Sequence, residues 1–142
     1  MALNVLIVDD SMMMRKLIIK ALNLSGIPLG EIHQAGNGEE GLKHLNEQWI
    51  DLILVDMNMP VMNGEVMIER VRENPATASL PVIVVSTESS ETRIESLQKK
   101  GAGFVHKPFS PEKLRAIILD MTGVTDEQTS GEGTVPGCGT DF

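Results

Sequence analysis

The sequence predicts one α/β domain in which helices cover both faces of a parallel β-sheet. Over residues 1–122, short apolar runs that suit buried strands alternate five times with segments of helical apolar spacing. The chain has 142 residues, which is enough for one domain with a substantial core. Parallel strands joined by right-handed helical crossovers satisfy both observations. We therefore expect a three-layer fold with its functional residues at the carboxyl ends of the strands.

The five predicted strands are apolar runs with many β-branched residues, a composition typical of strands buried on both faces. They span residues 4–8, 31–35, 52–56, 81–86 and 104–107. Most of these runs are followed by Asp, Asn, Gly or Pro, which mark turns and loops.

The first helix is predicted to begin at a Ser11 cap and to end near Gly26. Arg15, Lys16 and Lys20 are placed on its outer face. The residues predicted to face the core from this helix are Met14, Leu17, Ile18, Ala21 and Leu22.

The other helices follow the same logic. Asn63 and Ser110 are predicted caps of the third and fifth helices, and residues 39–48 and 89–100 form the second and fourth. Residues 101–103 are predicted to end the fourth helix before the last strand begins. The predicted inward residues of these helices are Gly41, Leu42, Leu45, Met67, Ile68, Val71, Ile94, Leu97, Leu114, Ile117, Ile118 and Met121. Trp49, just before the third strand, is predicted to be a packing residue.

Composition and charge exclude several classes of protein. The formal net charge of −8 argues against a nucleic-acid-binding surface, and no apolar run approaches the roughly 20 residues of a membrane helix. Cys138 is the one cysteine, so we expect no disulfide framework and a cytoplasmic location. Residues 123–142 carry four acids and no base, and are predicted to be a flexible, acidic, Gly-rich tail behind the domain of residues 1–122.

Three carboxylates are predicted at strand ends. Asp9 and Asp10 follow the first strand, and Asp56 closes the third. If these strands are neighbours, the three charges repel each other unless a cation lies between them, and Mg²⁺ or Mn²⁺ prefers such oxygen ligands. Each acid alone is equally typical of a helix cap or a turn. The combination favours a metal site.

Two further polar residues suit phosphoryl transfer, which depends on positioning and on neutralising charge. Ser86 closes the fourth strand and Lys107 the fifth, so a hydroxyl and a cation are predicted beside the acids. We therefore expect Asp56 to accept a phosphoryl group.

The motifs LIVDDS, LVDMNMPVMNG, PVIVVST and GFVHKPF carry a resemblance to the receiver domain of two-component response regulators. It covers residues 1 to about 122 and is closest to the free-standing, chemotaxis CheY-like type, since no output domain follows. The resemblance implies a flavodoxin-like, doubly wound sheet of order 2-1-3-4-5. It also implies a signalling switch that a histidine kinase phosphorylates and that dephosphorylates itself.

The resemblance assigns roles to residues of this chain. Asp56 would be phosphorylated, and Asp10, Asp56 and the Asn58 carbonyl would bind Mg²⁺ directly, whereas Asp9 would act largely through water. Ser86 would bond to the phosphoryl group as part of the switch, and Lys107 would pair with it. The Lys107-Pro108 peptide bond would be cis.

Other implied roles concern the signal and its lifetime. Phe104 matches the switch aromatic of the family, although its pattern equally suits an ordinary core residue. Asn58 and Glu88 would tune dephosphorylation and give a phosphorylated lifetime of seconds to minutes, and both also suit ordinary loop residues.

Partners implied by the resemblance are a sensor histidine kinase and an output protein that binds the face of the fourth helix, fifth strand and fifth helix. The family also leaves room for a phosphatase. Ser89 and Ser90 stand where relatives that bind the flagellar motor tend to carry bases, which puts that particular partner in doubt.

Three alternative functions remain open from the sequence. A phosphorelay shuttle would pass phosphate from Asp56 to a histidine phosphotransfer protein. A Mg²⁺-dependent phosphohydrolase would use an Asp nucleophile, but such enzymes place two acids two residues apart after the first strand and need a cap segment. A binding module without chemistry would show no affinity for Mg²⁺.

Overall fold

A computed structural model of the chain describes residues 2–57, 59–87 and 90–123. Five strands alternate with five helices along these residues. The strands are β1 (Leu3–Val8), β2 (Leu29–Ala35), β3 (Leu52–Val55), β4 (Val82–Ser86) and β5 (Ala102–His106). The helices are α1 (Met12–Ser25), α2 (Gly38–Glu47), α3 (Gly64–Glu73), α4 (Glu91–Lys99) and α5 (Pro111–Thr122).

All five strands run parallel in the order β2-β1-β3-β4-β5, which is the predicted order. Because every crossover passes through a helix, the carboxyl ends of the strands meet at one edge of the sheet. β3, the shortest strand, lies at the centre, and all four of its residues are buried. Asp56 therefore follows a strand that is buried along its whole length and paired on both sides.

The sheet separates two hydrophobic cores. One includes Leu54 and Ile83 and is closed by α1 and α5. The other includes Val55 and Val84 and is closed by α2, α3 and α4. Side chains alternate between these cores along each strand, as the period of two requires. Successive residues at a strand end consequently pack against opposite layers.

Capping residues begin the helices where the sequence placed them. Ser11, Asn63 and Ser110 each accept a hydrogen bond from the backbone N–H three residues later. Asn37 caps α2 in the same way, and Ser90 caps α4, so that helix begins at Glu91 and not at residue 89. None of the described helices combines the length and the apolar character that a membrane span requires.

The structure corrects four further local predictions. β5 begins at Ala102, not at residue 104, because Gly103 lies under α5, where a Cβ would stand 3.0 Å from Ile117 Cδ1. Leu17 was expected inside but is 49% exposed. Trp49 is 78% exposed, and its indole N–H donates to Asp51 at 3.1 Å instead of packing in the core. β2 is also longer than predicted, beginning at Leu29. Of the predicted tail, residues 123–142, Gly123 caps the end of α5, and residues 124–142 lie outside the described residues.

The two leucines at the end of α1 provide a test of this packing. Leu22 is fully buried, whereas Leu24 is 64% exposed. We expect Leu22→Ala to lower the free energy of unfolding by about 3 kcal/mol, because it removes buried methyl groups and leaves a cavity. Leu24→Ala should change it by less than about 0.5 kcal/mol. Urea unfolding followed by circular dichroism would measure both, and equal losses would contradict the assigned burial.

Candidate functional site

The acids of the site leave two neighbouring strands side by side. β1 and β3 are paired in register, with Val8 opposite Val55. Asp9 and Asp56 follow these two valines, and the Asp56 N–H donates to the Val8 carbonyl at 2.9 Å. Backbone pairing therefore fixes the distance between the two acids. Asp10, the next residue along the chain, is exposed at the rim.

Asp9, Asp10 and Asp56 form one cluster. One carboxylate oxygen from each lies within 4.8 Å of the others. Asp9 is 2% exposed and Asp56 is 9% exposed, so water screens their repulsion poorly. Asp9 Oδ1 accepts the Ser11 N–H at 2.9 Å, whereas Asp9 Oδ2 is buried without a hydrogen-bond donor. A buried, acceptor-only oxygen among other carboxylates fits a hard divalent cation such as Mg²⁺.

Lys107 brings the fixed positive charge to this cluster. Its Nζ lies 3.6 Å from both Asp9 Oδ2 and Asp56 Oδ1. That separation is longer than a hydrogen bond, so the pairing is electrostatic. Its backbone N–H donates to the Ser86 carbonyl at 2.9 Å, which extends the pairing of β4 and β5 by one step. The peptide bond from Lys107 to Pro108 is cis.

Burial raises the pKa of the Asp56 carboxyl above its ordinary value of 3.8. The Lys107 ammonium opposes this rise in pKa, as does the Met57 N–H, while the charges of Asp9 and Asp10 add to it. The net rise in the pKa of Asp56 shows that one lysine does not fully offset the desolvation of this carboxylate. An ionised Asp56 is therefore held at a cost in free energy.

The residues predicted to carry the signal lie on β4 and β5. Ser86 closes β4, is 1% exposed and is paired with His106 in register. Phe104 is half-buried on β5, and its ring meets the His106 ring edge-on with the centroids 4.9 Å apart. Asn58 and Glu88 fall outside the described residues, so their predicted roles in lifetime and in metal binding stay predictions.

Gly64 is a positioning residue whose role the sequence patterns do not predict. It begins α3, and its N–H donates to the Met57 carbonyl at 3.0 Å. A Cβ on Gly64 would overlap the carbonyl oxygen of Asp56. The loop after β3 can thus close against Asp56 only if this residue has no side chain. In the sequence the one signal for this role is the glycine that directly follows the predicted cap Asn63.

A family model for the response regulator receiver domain matches residues 5–119. The chain belongs to this family. It is 37% identical over 122 residues to a probable chemotaxis protein CheY of Rhizobium etli, an overlap that covers 85% of this chain and 93% of that protein. The receiver is therefore a switch of two-component signalling, which confirms the resemblance seen in the sequence.

Solved structures agree with this assignment. The receiver matches the chemotaxis protein CheY4 of Vibrio cholerae with a TM-score of 0.76 at 31% identity, over 85% of this chain and 99% of that one. It matches a chain of the CheX-CheY-BeF3-Mg complex from Borrelia burgdorferi with a TM-score of 0.74 at 29% identity, over 83% and 87% of the two chains. Receivers take phosphate from histidine kinases and act on output partners. The shuttle and phosphohydrolase alternatives are not favoured.

The raised pKa of Asp56 makes stability depend on pH in a defined direction. An acid whose pKa rises on folding destabilises the protein while it is ionised, and the penalty disappears as pH falls through that raised pKa towards 3.8. In EDTA, Asp56→Asn should therefore raise the melting temperature at pH 7 by a few degrees, and the gain should shrink as the pH is lowered.

Differential scanning calorimetry of both proteins across pH 4–8 would check this expectation. Asp120→Asn is the matched control, since Asp120 is exposed on α5 and its substitution should leave the melting temperature nearly unchanged. An Asp56→Asn protein that is no more stable than wild type at pH 7 would contradict the electrostatic account.

Proposed function

We propose that Asp56 is the phosphoacceptor of this receiver. Support comes from the three-carboxylate cluster, in which Asp9 and Asp56 are buried and Lys107 Nζ lies 3.6 Å from both. An Asp56 oxygen would attack the phosphorus of a phosphohistidine on a sensor kinase. The phosphorus–nitrogen bond would break, and the released imidazole nitrogen would take up a proton. Attack by water on the same phosphorus would later regenerate the carboxylate.

Each residue has a distinct task in this proposal. Asp10, Asp56 and the Asn58 carbonyl would hold Mg²⁺ or Mn²⁺ directly, and Asp9 would hold it largely through water. The cation would supply neutralisation of charge on the phosphoryl oxygens. Lys107 would pair with one of those oxygens, and the Ser86 hydroxyl would donate to another. Asn58 and Glu88 would set the rate of hydrolysis.

Chemotaxis is the proposed output. The relatives from Rhizobium etli and Vibrio cholerae are both chemotaxis proteins by name, and the chain covers most of each of them. We propose a cytoplasmic protein that acts by protein–protein contact through α4, β5 and α5, where Phe104 and His106 lie. A phosphatase is the other partner that we propose. In the Borrelia burgdorferi complex a CheY chain is assembled with a second protein, which supports binding of a further partner of some kind.

The phosphoacceptor can be tested with a small phosphodonor. Incubation with acetyl phosphate and Mg²⁺ should add one phosphoryl group to wild type and none to Asp56→Asn, as measured by intact-protein mass spectrometry. EDTA should abolish the reaction, because the repulsion among the acids would then remain.

Asp120→Asn is again the matched control and should be phosphorylated like wild type. After removal of the donor, the label should decay within seconds to minutes in Mg²⁺ buffer. Labelling of Asp56→Asn to the wild-type level would refute the assignment, and a label that persists for hours would refute the proposed self-dephosphorylation.

The proposed switch can be tested with beryllofluoride, which stands in for the phosphoryl group. Beryllofluoride with Mg²⁺ should shift the nuclear magnetic resonance signals of Phe104 and His106, because Ser86 would move to bond the added fluorines. The Trp49 indole, which lies before β3 and so at the amino ends of the strands, serves as an internal control and should not shift. Changes confined to the acid cluster would show that Phe104 and His106 do not take part in switching.

A further inference from the structure

The side chain of Arg15 does not lie where helical spacing placed it. Arg15 is in the first turns of α1 but is only partly exposed. Its Nη1 donates to the backbone carbonyl of Asp9 at 2.5 Å, and its Nε donates to Gln34 Oε1 at 3.0 Å. The guanidinium therefore spans the carboxyl ends of β1 and β2 and does not extend into solvent.

The carbonyl that Arg15 contacts belongs to the peptide joining Asp9 to Asp10. A peptide unit is planar, so fixing the direction of its oxygen fixes the plane from which both acidic side chains depart. The other groups of this pair are also held: the Asp9 N–H donates to the Ala35 carbonyl at 3.0 Å, and the Asp9 carboxylate accepts the Ser11 N–H. Arg15 holds the carbonyl oxygen of the same peptide from the side of α1.

We propose that Arg15 is a positioning residue that orients the Asp9-Asp10 peptide so that the two carboxylates converge on the divalent cation. This inference rests on the proposed function, since it assumes that the cluster binds such a cation. In this role Arg15 would touch neither the phosphoryl group nor the cation. Its removal should weaken cation binding while leaving the transfer step intact once the site is saturated.

Electrostatics makes this proposal easy to separate from its main alternative. Arg15 carries a positive charge near a site for a positive ion, so a purely electrostatic role predicts that neutralising Arg15 strengthens cation binding. A positioning role predicts the opposite sign. A lysine should replace Arg15 poorly, because one ammonium cannot reproduce the planar guanidinium that donates to both the Asp9 carbonyl and Gln34 Oε1.

The test measures Mg²⁺ binding to the unphosphorylated protein by isothermal titration calorimetry. Arg15→Gln should raise the dissociation constant about 10-fold, the size typical of residues that orient metal ligands. The rate of phosphorylation by acetyl phosphate at saturating Mg²⁺ should stay within about twofold of wild type, as expected when ground-state binding alone is lost.

Lys16→Gln is the matched control. Lys16 is the next residue of α1, is exposed, and its substitution removes the same charge. This variant should bind Mg²⁺ as tightly as wild type or slightly more tightly. Gln34→Ala removes the second acceptor of the guanidinium at an exposed position and should raise the dissociation constant by a smaller factor than Arg15→Gln. It also keeps the proposal testable if Arg15→Gln does not fold.

The outcomes separate this inference from the proposed function. If wild type binds no Mg²⁺, the metal site itself is refuted. If wild type binds Mg²⁺ and Arg15→Gln binds it equally or more tightly, the positioning role is overturned and the phosphoacceptor proposal stands. Equal weakening by Arg15→Gln and Lys16→Gln would also overturn the positioning role.

Discussion

Repulsion among three carboxylates is the constraint on which the site of this receiver depends. Unit charges 4.8 Å apart, the limit within which oxygens of Asp9, Asp10 and Asp56 lie, repel by about 3 kcal/mol at an effective dielectric constant near 20. Lys107 offsets part of this repulsion, since its ammonium lies 3.6 Å from two of the acids. The charge that remains is negative, and it makes the cluster receptive to a divalent cation.

Such repulsion would push flexible acids apart, so the fold must hold them together through its backbone. Asp56 follows a central strand with four buried residues, and its N–H is bonded to β1. Gly64 lets the following loop close on the Asp56 carbonyl, and the Lys107 N–H is tied to Ser86 on the neighbouring strand. Hydrophobic burial in the two cores thus offsets the cost in free energy of holding the three acids together at the carboxyl ends of the strands.

Local patterns in the sequence predicted most of this fold, because strand alternation and helix caps depend on neighbouring residues. They failed where tertiary packing decides the conformation or the burial of a residue. Gly103 is typical of a turn but belongs to β5 and packs beneath α5. Leu17 has helical apolar spacing but lies at the margin of the buried stripe of α1. The three acids, Ser86 and Lys107 could be predicted, because each lies at or just after the end of a strand. Arg15 could not, because helical side chains point back towards the N-terminus and a long one reaches past its own turn.

The same electrostatic balance links metal binding to reactivity. An ionised carboxylate is the better nucleophile, yet burial raises the pKa of Asp56 and so disfavours that form. A cation between the acids would favour the ionised form, so the loaded site would also be the more reactive one. A phosphoryl group on Asp56 would then add charge where negative charge is already in excess. Lys107, whose ammonium lies beside Asp56, can pair with that charge, and Lys107 directly follows β5, the strand of Phe104 and His106. Ser86 can donate its hydroxyl to it, and Ser86 is paired in register with His106.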